Sequence, residues 1–187
     1  MCREKFTKIC RFYYRLWYNI REYNNNERVN RMSITSNTIA YGKIDSIIFA
    51  AYLNKKAKDA GYKMNATKIH KLLYICYGLY LAAKNEQLLS ERPKAWDYGP
   101  AFPRVHKILK SGLEKYEDQL DLQSLSEYDF IIDPILDHFG NWTAGNLVDW
   151  THKEGSAWRK QVEHGNKYEV MDNMDIRTNF KVFLKND

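Results

Sequence analysis

Cysteine is scarce in this chain. Its three thiols, Cys2, Cys10 and Cys76, cannot all pair, which excludes a disulfide framework and makes a reducing cytoplasm the expected compartment. No uninterrupted apolar run approaches the roughly 20 residues that a membrane-spanning helix needs. The histidines, His70, His106, His138, His152 and His164, form no HExxH pattern and have no cysteine pair to join them, so neither a metal nor another cofactor is expected. GxSxG, Walker and GxGxxG sequences are missing as well, and with them the usual catalytic sets, so a non-enzyme is expected. Net charge is lacking from most of the chain: of the total of +6, residues 1–31 carry eight basic against three acidic side chains, 8 − 3 = +5, leaving about +1 for residues 32–187. A nucleic-acid or anionic-membrane partner is therefore not expected of the main body, and the basic character belongs to the leader.

What is present is enough for a self-sufficient domain. A domain of about 150 residues buries close to 70% of its unfolded surface, and 44% hydrophobic and 14% aromatic residues are ample for a core. Residues 1–31 form a basic aromatic extension without glycine, alanine or proline, in which Phe6, Ile9, Cys10, Tyr13, Leu16, Trp17 and Ile20 recur at helical spacing. Three readings of it stand open: a flexible arm for RNA, DNA or an anionic membrane, a helix docked on the domain or on a partner, or sequence read from a start upstream of a true initiator at Met32. The missing small residues favour the last. No signal-peptide pattern is present.

Residues 32–187 read as a mainly α, single compact helical domain of about six helices. Asp45 is placed to cap the first, which Gly61 closes. Asn65 caps the second, where Ile69, Leu72, Leu73, Cys76, Leu79, Tyr80 and Ala83 make an apolar stripe. Tyr74 and Tyr77 are expected on its outward side. Pro93 and Pro100 bracket an extended Trp96-Asp97-Tyr98-Gly99-Pro100 turn, and a third helix follows from about Pro103 to Lys110, with Gly112 beyond its end. Residues 111–126 read as an acidic connector. Asp133 with Pro134 is expected to start another helix, and Thr143 and Ser156 are expected to cap two more. The outward face of the second helix offers Lys68, His70 and Lys71 without an Arg, Asn and Gln cluster, which argues against base readout by this helix pair.

The blocks KIHKLLYICYGLYLA, AWDYGPAFPRVHKIL and LVDWTHKEGSAW, in that order, resemble the Panacea domain, the SocA-like antitoxin domain. Trp96, Tyr98, Gly99, Pro100, Thr151, His152 and Trp158 fall on its signature positions. The chain departs from the pattern at Ala101-Phe102, where a small aliphatic pair is usual, and at Ser156-Ala157, where a proline precedes the last tryptophan. The resemblance implies a bacterial or phage antitoxin that contacts a toxin encoded beside it, and it also admits a proteolytic adaptor delivering the toxin to ClpXP. Tyr98, Phe102 and the outward spine tyrosines Tyr74 and Tyr77 are the expected contact surface. Trp96 fits core packing or a partner anchor, Asp97 is expected to accept backbone amides, and His152 is expected to donate to a backbone carbonyl above Trp158.

Overall fold

In the computed structural model, which describes residues 18–20, 22 and 43–184, the apolar spacing after Asn65 becomes helix α2 (Ala66–Lys84). The Asn65 side chain accepts from the Lys68 amide at 2.9 Å, and Asn85 closes the helix in a left-handed conformation. Every residue of α2 from Lys68 to Leu79 is buried, and Leu81 with them. The expected stripe is thus too narrow: a helix walled in on all sides is a spine.

The wall is built by the rest of the chain. Asp45 caps α1 (Ser46–Asp59) through the Ile47 and Ile48 amides at 2.8 and 3.4 Å, and Phe49 and Leu53 fill the space beside α2. A two-stranded antiparallel hairpin follows, β1 (Lys94–Trp96) and β2 (Gly99–Ala101), with Lys94 opposite Ala101 and Trp96 opposite Gly99. Helix α3 (Pro103–Leu109) begins with proline at its first position, but Phe102 offers no capping side chain. Glu91 supplies the cap from outside, accepting from the Arg104 and Val105 amides at 3.0 and 3.4 Å. The Arg104 guanidinium in turn reaches Asp45 at 2.6 Å and Ser90 at 2.7 Å, tying the start of α3 to the start of α1.

A 3-10 segment (Leu113–Gln119) and α4 (Leu122–Leu125) occupy the acidic connector, each anchored by one buried leucine, Leu113 and Leu125. Helix α5 (Asp129–Phe139) corrects an expectation, because Pro134 lies inside it rather than at its start. Asp129 and Asp133 both bind Lys56 at 2.7 Å, and Asp129 also accepts from the Tyr52 hydroxyl at 2.7 Å. Those contacts with α1 reward the extra first turn. Thr143, Ser156 and Asp172 then cap α6 (Ala144–Thr151), α7 (Ala157–Glu163) and α8 (Asn173–Lys181). Helix α8 lies along α2, with Ile176 and Phe180 fully buried. Among the described residues no helix is long and apolar enough to cross a membrane.

Candidate functional site

The turn between β1 and β2 has only Asp97 and Tyr98 at its tip. Neither takes a positive φ, whereas Gly99 after them stands at +92°, the left-handed residue that lets strands rejoin after such a turn. Glycine is required there for space too. A Cβ on Gly99 would lie 2.8 Å from Thr151 Oγ1 and 2.9 Å from both His152 Nε2 and Lys71 Cε. Two separated stretches of sequence, at Lys71 and at Thr151-His152, therefore converge on this one residue.

From the spine helix come consecutive side chains. Lys71 Nζ donates to the Pro100 carbonyl at 2.9 Å, and the Phe102 amide donates to His70 Nδ1 at 3.3 Å. His70 and Lys71 thus take the outer edge of β2, where a further strand would otherwise pair. Burial pushes Lys71 down to about 7, and burial, with the nearby Lys71 and His106 charges, pushes His70 down to about 3.

From the end of α6, Thr151 Oγ1 donates to the Val148 carbonyl at 2.9 Å. The His152 ring stacks flat on Trp158, centroids 3.5 Å apart and planes 2° from parallel, and Trp158 Nε1 donates to the Trp96 carbonyl at 2.9 Å. Burial, with the neighbouring Lys71 and Arg159 charges, lowers His152 to about 4. Its Nε2 finds no hydrogen-bond partner, so the carbonyl contact expected for this imidazole is not made; packing between Gly99 and Trp158 holds the ring instead.

The expected contact residues divide sharply. Tyr98 is 77% exposed, Asp97 is exposed and Trp96 half-buried, with its ring edge-on to His106 at 4.8 Å. Gly99, Pro100, Thr151 and Trp158 are buried beneath them, and His152 is half-buried. The structure overturns the outward placement of Tyr74, Tyr77 and Phe102, which are at most 1% exposed. Tyr74 meets the Phe180 ring, Tyr77 meets Phe102, and all three belong to the core because α8 and the hairpin cover the side of α2 that was expected to face out. Asp97 accepts from the Tyr168 hydroxyl and the Lys167 ammonium rather than from backbone amides.

Several residues around the turn went unread in the sequence. Lys94 shares a strand face with Trp96 by the two-residue alternation of β1, while His106 and Lys110 stand one helical turn apart, with Lys107 between. Lys94, Lys107 and Lys110 form no ion pair among the described residues, and α3 contains no acidic side chain. Three unpaired lysines thus stand on or beside β1 and α3, the elements that meet at the Trp96–His106 contact, with exposed Asp97 at the turn beside them. The alternation and the helical spacing were both legible; their meeting at the Trp96–His106 contact was not. Among the described residues no group of three His, Cys, Asp or Glu side chains is placed to hold a metal ion.

Residues 69–159, which contain every one of these motif positions, match the family model described as antitoxin SocA-like, Panacea domain. Antitoxin SocA of Caulobacter vibrioides (strain NA1000 / CB15N) is 26% identical over 129 residues, covering 62% of this chain and 69% of that protein. No solved structure matches the chain.

Proposed function

We propose, from the match of residues 69–159 to the SocA-like Panacea domain and the likeness to antitoxin SocA, that the chain is a cytoplasmic antitoxin that neutralises a cognate toxin by direct protein–protein contact. The contact surface is the Trp96–Tyr98 turn with the basic face of α3. One observation carries the reading: the buried motif residues His70, Lys71, Gly99, Pro100, Thr151 and Trp158 all brace a turn whose tip leaves Tyr98 77% exposed. A large aromatic held rigidly in solvent costs little entropy to immobilise in an interface and gives much area back. No catalytic step is assigned to the site, whose work is recognition.

The test is neutralisation in cells by the full chain, expressed with a toxin encoded by a neighbouring gene. Tyr98→Ala is expected to weaken the complex by about 2 kcal/mol, roughly thirtyfold in affinity, with the melting temperature unchanged. Lys110→Glu is expected to weaken it further where the toxin presents acidic groups. Full rescue by both variants at wild-type toxin affinity would remove this surface from the interface. Rescue that disappears in a host without ClpXP, with binding intact, would instead make the protein a proteolytic adaptor.

A further inference from the structure

Pro134 leaves a defined gap in α5. In a helix the amide of residue 134 would bond the carbonyl of residue 130, four positions earlier; proline has no N–H, and its ring crowds that carbonyl. The Phe130 carbonyl nevertheless has a donor. Asn19 Nδ2 reaches it at 3.4 Å, from a segment 111 residues away in sequence. The neighbouring residue, Ile20, is 8% exposed and belongs to the hydrophobic core. Tyr18 and Glu22, two positions to either side of Ile20, are exposed, as the opposite face of a helix lying on a surface would be. Residues 18–20 and 22 are helical.

We infer that the helical residues 18–20 and 22 are a working part of the domain, keyed to α5 by an amide that replaces the hydrogen bond Pro134 cannot make. The surface they occupy takes a helix presenting a primary amide next to a branched apolar side chain, and Asn19-Ile20 is that pair. This assigns the segment a packing role outside the family-matched residues 69–159. It also explains how a proline is accommodated inside α5, since an unpartnered carbonyl at the core edge costs more than the bond itself is worth.

The inference does not depend on the antitoxin reading, because its readout is stability. In the full chain, Asn19→Leu is expected to lower the folding equilibrium constant about fivefold, the worth of one hydrogen bond. Ile20→Ala should lower it by at least about tenfold, through lost burial and the cavity left behind. Pro134→Ala returns an N–H to the Phe130 carbonyl, so in that background Asn19→Leu is expected to cost nothing. Slow amide exchange at residues 18–22 would accompany the docked state. An Asn19→Leu cost equal in both backgrounds would overturn the keying. Wild-type stability of both single variants together with fast exchange at residues 18–22 would overturn the docking altogether.

Discussion

Tyr74 and Tyr77 stand three residues apart on α2 and are both buried, yet their hydroxyls meet opposite fates. Tyr77 donates to Asn173 Oδ1 at 2.7 Å, whereas the Tyr74 hydroxyl has no partner. A buried, unbonded hydroxyl has surrendered its water without compensation, so deleting it removes a penalty; deleting a bonded one strands its acceptor. Tyr74→Phe is therefore expected to be neutral or to stabilise by up to about 1 kcal/mol, and Tyr77→Phe to destabilise by about 1 kcal/mol, in urea-unfolding midpoints at constant m-value. Equal losses for the pair would mean that the Tyr74 hydroxyl is bonded in solution. Neither fate was legible in the sequence. Alternation of tyrosine and apolar residues along α2 suggested an inside and an outside, and a helix enclosed on every side has no outside for Tyr74 to face.

Helix termini, by contrast, were read well, because a cap is a local interaction. Asp45, Asn65, Thr143 and Ser156 each accept from an amide two or three residues on, as their side-chain chemistry predicts. What failed at this scale depended on partners distant in sequence. Pro134 looked like a helix start because nothing local supports a proline in a helix interior, and the donor that compensates comes from Asn19. Glu91 capping α3 is another such case. The α2–α8 contact gives a third, since Gly78 reads locally as a weak point in a helix, and its reason lies a hundred residues on: a Cβ there would stand 2.3 Å from two carbons of the Phe180 ring. Phe180 is fully buried and held against Tyr74 and Trp150, centroids 5.3 and 5.9 Å away, so it has little room to swing. Gly78→Ala gains about 1 kcal/mol of helix propensity, but the overlap must push α8 off its seat. The net expectation is a loss of about 2 kcal/mol or more, with amide protection falling first along α8. An unchanged melting temperature would show that α8 is not pressed on α2 as closely as this.

Across the whole molecule, the fold holds bases whose charged forms burial disfavours. Burial lowers Lys71 from 10.5 to about 7, and lowers His70 and His152 from 6.5 to about 3 and about 4. The convergence of these three groups around Gly99 and Pro100 explains why the motif is compact in space while dispersed in sequence; the residues were legible one by one, the cluster only in three dimensions. Each group binds fewer protons in the folded than in the unfolded chain between its two pKa values, so stability rises with pH through that window. The histidines make it climb from about pH 3 to about 6.5, and Lys71 carries the climb onward from about 7. A ceiling comes from the buried acids: burial raises Cys76, Tyr74 and Tyr77 above their ordinary values, so the unfolded chain gains by ionising them once the pH passes about 9. Maximal stability is therefore expected near pH 9, on the alkaline side of the usual range of about 5 to 8. Between about pH 7 and 9 the slope should approach 1.4 kcal/mol per pH unit, the limit for one proton. Lys71→Met keeps the stem's volume while deleting the titrating group, and should flatten that segment of the curve even as it costs the hydrogen bond to the Pro100 carbonyl. The measurement is chemical denaturation at a series of pH values for both chains. A parent curve already flat from pH 7 to 9 would mean that Lys71 keeps its charge in the fold, with a further acceptor drawn to it; His70 Nε2 and His152 Nε2 are both buried without a partner.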